Sequence, residues 1–378
     1  MCAAASAHSL MDMNGSSKTA PTAGIDLAPL LRAVEEERLG VRAVHVHRAG
    51  TRESEDVVHR RVEDTIEQVY SISKTVTALA VGIARAEGLL DLEDLLVDHL
   101  EGISDLPREA LGEGVERIRL RHLITMTAGS PVLMFEEAER MDPDPAALYL
   151  GTDLVREPGA RFEYSNGGVY MLGRVVAARA GISLRDYLMP RLFEPLGILN
   201  PQWFTDRGGS TWAATGLNLR SGEVARIGRL LLDRGRWTGA ADVRGVDADA
   251  VSPDSDDSDA SADASAASAD AAASAAASSA SAAASSDFPQ LVPEAWIDAL
   301  HSDQAWVETG DADPENVQYG FGVWRCTPED AWRADGAYGQ FIVVLPQQEA
   351  VITVTSRHEG SPSQEILRAL WRHVVPQL

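Results

Sequence analysis

Ser71-Ile72-Ser73-Lys74 places a hydroxyl three residues before a primary amine. If Ser71 opens a helix, Lys74 lies one turn on and on the same face. A serine hydroxyl is a weak nucleophile at neutral pH and needs a neighbouring base. A lysine desolvated among apolar side chains loses affinity for its proton and can act as that base, or hold another base in place. The helix N-terminus adds positive potential beside an attacked carbonyl. Such a spacing arises often by chance, but cation usage singles it out. Of 33 Lys plus Arg, 31 are arginine, and only Lys18 and Lys74 are lysine. Arginine cannot deprotonate, so a role that needs a titratable cation explains the exception. The competing reading is a surface lysine behind a capping serine. It fits poorly with Val76, Leu79, Val81 and Ile83, which make the segment apolar on most faces.

Tyr164-Ser165-Asn166 is a second candidate, set within Pro158 to Gly168. A tyrosine whose phenol faces one or two cations can lower its pKa and serve as general base. The Asn166 amide would hold Lys74 and a substrate carbonyl. Taken alone, a packed tyrosine and an asparagine capping the helix from Gly168 to Ala180 is the preferred reading. Gly336-Ala337-Tyr338-Gly339-Gln340, ahead of a strand, is the third. Glycines there let backbone amides approach a ligand, as an oxyanion hole requires, though an ordinary hairpin turn explains them as well.

These residues need a scaffold. Residues 25–39 read as a helix lying on a sheet, with Leu27, Leu30, Leu31 and Val34 apolar. Val41 to Arg48 reads as a strand, and Asp56 to Val62 more weakly so. The helix from Ser71 to Glu87 stops at Gly88. From about 90 to 240 helices and long loops dominate, with an amphipathic helix over 223–235 closed by Gly235. Strands return at Gly320 to Arg325, Gln340 to Leu345 and Ala350 to Ser356, the last two joined by a turn at 346–349. A closing helix runs from Gln364 to Val374. The order implies a discontinuous α/β domain (25–70 and 288–378) holding a mainly helical insertion (71–246). Residues 1–24 read as a disordered tail. Residues 252–287 are 16 Ala, 12 Ser, 7 Asp and one Pro, too small and polar to offset ordering entropy, so 247–287 reads as a disordered insert.

The formal charge of the 378 residues is −24, which argues against nucleic acid or an anionic membrane as partner. Nine Asp of residues 247–287 account for part of it, leaving −15 elsewhere. Two cysteines, Cys2 and Cys326, make no disulfide framework. No signal peptide and no long apolar run is visible, so a cytoplasmic location is expected. His45 and His47 alternate on a strand and are expected on a solvated face rather than on a metal. Neither G-x-S-x-G nor a metal or nucleotide motif is present, and no cofactor is expected.

The order S-x-x-K, Y-x-N and a Gly-rich strand entry resembles the serine β-lactamase and penicillin-binding protein superfamily. Tyr164 makes it similar to the class C β-lactamase, D-alanyl-D-alanine peptidase and family VIII esterase branch. Leu120 to Gly129, Pro195-Leu196-Gly197 and Leu291 to Trp296 are also similar to family segments. The resemblance implies a β-lactamase/transpeptidase-like α/β (α+β) fold, an antiparallel sheet flanked by helices plus an all-helical lobe. It implies that Ser71 is the acylated nucleophile, that Lys74 and Tyr164 share general-base duty, and that Asn166 orients Lys74 and substrate. It implies an oxyanion hole from the backbone amides of Ser71 and Ala337, with Asp335, Gly336 and Gln340 beside the substrate.

Where penicillin-recognising members have Lys/His-Thr-Gly, this chain has Ala334-Asp335-Gly336. An anion there repels a substrate carboxylate. Arg333 and Arg357 are the cations placed to replace the missing charge. The leading expectation is a serine hydrolase forming an acyl-enzyme with a small ester or amide. The alternatives are a β-lactamase or D-alanyl-D-alanine carboxypeptidase acting on a lactam or peptide, and a non-catalytic ligand-binding relative. Substrate identity and oligomeric state are not legible.

Overall fold

The computed structural model describes residues 24–49, 54–58, 65–135, 144–237, 288–357 and 363–378. The insert expected over 247–287 lies outside the described residues, as does all of the expected tail but Gly24. Helices α1 (Ala28–Glu36), α2 (Ile72–Ala86), α3 (Leu120–Ile124), α4 (Pro145–Gly151), α5 (Asn166–Ala180), α6 (Leu184–Leu188), α7 (Ser221–Leu232), α8 (Glu294–Leu300) and α9 (Gln364–His373) alternate with short strands. The strands are β1 (Val41–Arg48), β2 (Ser54–Val58), β3 (Glu67–Gln68), β4 (Gln202–Trp203), β5 (Leu217–Leu219), β6 (Val307–Glu308), β7 (Gln318–Tyr319), β8 (Trp324–Arg325), β9 (Trp332–Gly336), β10 (Gln340–Leu345) and β11 (Ala350–Ser356).

Among the described residues, eight strands form one sheet in the order β2-β1-β11-β10-β9-β8-β7-β6, antiparallel throughout. A small second sheet, β3-β5-β4, lies near the start of α2. Side chains alternate across a strand, so the large sheet has two apolar faces. Phe341, Val343, Leu345, Ile352 and Val354 meet α1 and α9 on one side. Ile342, Val344 and Val351 face the core that contains α2, α5 and α7. Burial on both sides explains why β10 and β11 read as unbroken apolar runs.

Most expected elements stand where the periodicity puts them, with two corrections. Gly320 to Arg325 is not one strand. Gly322 has φ of 77°, which reverses the chain between β7 and β8. Its carbonyl accepts the Thr75 hydroxyl at 2.6 Å, which fixes this turn on α2. His45 and His47 are not solvated but buried, at 8% and 3% exposure. They share the face of their register partners Thr353 and Val351, which α7 covers. Among the described residues no helix is long and apolar enough to cross a membrane, and no group of three His, Cys, Asp or Glu is placed to hold a metal ion.

Candidate active site

The first turn of α2 is fastened from several sides. Ser71 stands at the N-cap position with its side chain making no capping bond, and every residue from Ile72 to Ala84 is buried. The Ser73 hydroxyl donates to the Tyr70 carbonyl at 2.5 Å and accepts from the Leu217 amide at 3.3 Å. The loop before β5 supplies two consecutive carbonyls. Ala213 accepts the Thr77 hydroxyl, and Ala214 accepts the Lys74 ammonium, each at 2.8 Å. Lys74 is thereby directed at Ser71, with Nζ 2.8 Å from Oγ.

Lys74 is 2% exposed. Burial pulls its pKa from 10.5 down to about 7, against the opposing pull of Asp335. Near neutral pH a large share of the amine is therefore unprotonated and able to take the Ser71 proton. Its Nζ also lies 4.8 Å from the centre of the Tyr164 ring. Tyr164 is held by stacking on Trp324, with centroids 5.9 Å apart and planes 23° apart, and by an edge contact with Tyr319. Its phenol hydrogen-bonds Ser71.

The expectation that cations lower the Tyr164 pKa is corrected here. Burial pushes it up, and Asp335 adds to that. The Ser71 hydrogen bond and Arg333 offset only part of the rise. Tyr164 thus stays a neutral phenol near pH 7, suited to relaying a proton rather than storing a negative charge. In Lys74, Tyr164 and Ser71 the geometry brings together three of the expected residues.

Asn166 departs from its expected part. Ala214, not Asn166, holds Lys74. The Asn166 backbone N–H donates to the Leu133 carbonyl at 2.7 Å, and its side-chain Oδ1 is buried without a hydrogen-bond partner among the described residues. The cap of α5 is Ser165, whose hydroxyl accepts from the Gly168 amide at 2.9 Å. An acceptor buried without a partner is costly and is suited to a donor that arrives with a ligand.

The third segment ends β9 and turns into β10 through Ala337, Tyr338 and Gly339. A Cβ on Gly336 would sit 2.4 Å from the Val69 carbonyl oxygen, so only glycine lets β9 lie this close to the chain leading into Ser71. The Ala337 and Ser71 amides have no backbone acceptor among the described residues.

Asp335 is paired rather than free. Arg333, fully buried, donates Nε to its Oδ2 at 2.8 Å, and an Nη lies 2.8 Å from the same oxygen. The other Arg333 donors reach the carbonyls of Glu315 and Arg325 and Oδ1 of Asn316. Arg333 is therefore fully engaged, and Arg357, 63% exposed, stands 3.8 Å from Glu67. Gln340 is also corrected as a substrate contact. It is 1% exposed, and its amide donates to the Ser356 carbonyl of the neighbouring strand.

Sequence reasoning missed Ala214, because a backbone carbonyl has no residue signature. It also missed the Tyr319 and Trp324 rings that fix Tyr164. Their aromatic character was the one signal that could have found them.

Residues 35–375 match the family model described as Beta-lactamase. One stretch is 27% identical over 141 residues to a beta-lactamase of Escherichia coli (strain K12), covering 37% of this chain and 35% of that protein. Another is 29% identical over 157 residues to monacolin J acid methylbutanoyltransferase of Aspergillus terreus, covering 36% and 37%. The matched stretch thus spans about a third of the length of these relatives. Among solved structures, the octameric penicillin-binding protein homologue from Pyrococcus abyssi is similar with a TM-score of 0.62 at 18% identity, over 92% of this chain and 78% of that one. A D-stereospecific amidohydrolase from Streptomyces sp. is similar with a TM-score of 0.60 at 17% identity, over 93% and 99%. These two likenesses concern the fold.

Proposed function

This chain belongs to the beta-lactamase family, and from that premise we propose that it is a serine hydrolase that cleaves a small ester or amide through an acyl-enzyme on Ser71. The observation that carries the proposal is the 2.8 Å approach of a buried Lys74 amine, with a pKa near 7, to the Ser71 hydroxyl.

The steps follow from that approach. Ser71 Oγ bonds to the substrate carbonyl carbon while its proton passes to Lys74 Nζ. The carbonyl electron pair moves onto oxygen, which the amides of Ser71 and Ala337 receive. Collapse expels the alcohol or amine, which takes the proton from Lys74, with the Tyr164 phenol as relay. Water then attacks the acyl-Ser71 carbonyl and gives a proton to Lys74. The acid departs and Ser71 regains its proton. For an amide substrate, Asn166 Oδ1 accepts from the substrate N–H.

The Arg333–Asp335 pair supports a neutral substrate. Arg333 has no donor left for a carboxylate, and the Asp335 it neutralises offers none. This weighs against β-lactamase and D-alanyl-D-alanine carboxypeptidase activity, whose substrates carry that group.

Purified protein and its Ser71→Ala variant, assayed with p-nitrophenyl butyrate and benzylpenicillin, test the reading. Expected are ester turnover that the variant loses and an acyl adduct on Ser71 by intact mass. Undiminished hydrolysis in the variant sinks the proposal. Fast penicillin turnover replaces the ester reading with the lactamase one. Absence of any adduct points to a non-catalytic relative.

A further inference from the structure

Two strained tyrosines flank the site. Tyr70 precedes Ser71 with φ of 48°, and Tyr338 follows Ala337 with φ of 65°. Left-handed backbone is unfavourable for a bulky L-residue, so it persists only where the surroundings impose it. Both residues therefore adjoin an amide assigned to the oxyanion hole. Their rings meet with centroids 4.9 Å apart and planes 54° apart. Tyr338 nonetheless stays 46% exposed. A pair that served packing alone would be expected to bury both rings.

We propose that Tyr70 and Tyr338 form the wall of the acyl-group pocket and select substrates whose carbonyl carries an aryl or arylmethyl group. The inference rests on Ser71 as nucleophile, as proposed above. The tetrahedral centre has its oxygen between the two amides. Its leaving group must lie beside Lys74 and Tyr164, because the departing atom takes its proton there. The remaining substituent is the acyl chain, and it points away from Lys74. Among the described residues the Tyr164 ring packs on Tyr319 and Trp324 while the Tyr70 ring packs on Tyr338, and no ring contact joins the two groups, so the acyl chain runs toward Tyr70 and the exposed Tyr338 face. An aromatic group there gains offset or edge contacts as well as burial. No cation has to be added for it, which suits a site whose Arg333 is already engaged.

The test compares p-nitrophenyl phenylacetate with p-nitrophenyl acetate on the full chain. The leaving group is shared, so the ratio of kcat/KM reads the acyl pocket alone. The wild type is expected to prefer phenylacetate by about tenfold or more. Tyr338→Ala should remove most of that preference, and Tyr338→Phe should keep it, since the ring and not the hydroxyl makes the contact. Tyr70→Gly should also remove most of it. Glycine suits the Tyr70 backbone better than tyrosine does, so misfolding does not explain a lost preference. A wild-type ratio near one, or a ratio unmoved in both Tyr338→Ala and Tyr70→Gly, overturns the inference while leaving Ser71 chemistry standing. If the wild type cleaves neither ester and Ser71 takes no acyl group, the Ser71 reading fails and this inference falls with it.

Discussion

Lys74 Nζ lies 2.8 Å from Ser71 Oγ, in a helix turn so buried that the amine holds its proton only up to a pH of about 7. The same nitrogen donates to Ala214 at 2.8 Å, so its position does not depend on its reaching Ser71.

If the unprotonated amine is the base, kcat/KM should rise about tenfold per pH unit below 7 and level off above it. Lys74→Arg should lower the plateau rate above pH 7 by about 10²–10⁴-fold and remove the acid limb, because guanidinium does not deprotonate. A pH–rate profile of p-nitrophenyl butyrate hydrolysis reads both. A wild-type profile that stays flat between pH 5 and 8 excludes Lys74 as base.

The same burial predicts a stability effect of opposite sign to the loss of activity. The folded-state pKa of Lys74 lies near 7, below the unfolded value of 10.5. Between those values the unfolded chain binds more protons, so this residue makes stability rise with pH across that window. Below pH 7 the full cost of a buried cation is present. Lys74→Met removes the charge at similar volume. It should melt at a higher temperature than wild type at pH 6, with the gap narrowing toward pH 10 while activity is lost. A lower melting temperature at pH 6 contradicts the burial argument.

The catalytic candidates were legible because their signals are local. A helix turn joins Ser71 to Lys74, and one of only two lysines in an arginine-rich chain marks itself. Strands β1, β10 and β11 announced themselves by continuous apolar runs. What was illegible depends on contacts distant in sequence. His45 and His47 look like the outer face of an edge strand until β2 pairs with β1 and α7 covers that face. Lys74 is held by Ala214, 140 residues away. The Tyr164 pKa moves up rather than down because burial outweighs the opposing pull of the Ser71 hydrogen bond and Arg333, and that burial comes from contacts distant in sequence such as Trp324 and Tyr319. Gly322 sits inside an apolar run that reads as strand, and the turn there is fixed by Thr75, far away in sequence.

Asp335→Asn should destabilise the fold by about 3 kcal/mol, because it leaves the fully buried Arg333 without its counter-charge. The double variant Arg333→Met with Asp335→Asn should recover part of that loss, since no unpaired charge remains. Urea denaturation of the three proteins measures it. Asp335 also holds the Lys74 proton on, so Asp335→Asn should move the acid limb of the pH–rate profile to lower pH. Equal stability of wild type and the single variant shows that the pair is dispensable.

Gly336→Ala separates site geometry from overall stability. The added methyl meets the Val69 carbonyl oxygen at 2.4 Å, and backbone on both sides leaves little room to yield. Val69 is not a passive neighbour. Its carbonyl accepts the Ile72 amide at 3.1 Å, and its amide donates to Leu217 at 2.8 Å, so displacing it shifts the turn that carries Ser71. Either the Ala337 amide moves away from the nucleophile or Ser71 moves away from Lys74. Loss of one oxyanion donor costs about 10²–10³ in kcat. The variant should therefore acylate at least about 100-fold more slowly by intact mass, while β9 and β10, paired from Gly336–Gln340 to Trp332–Val344, keep the fold cooperative. Wild-type acylation in a folded Gly336→Ala protein means that the Ala337 amide takes no part in holding the oxyanion.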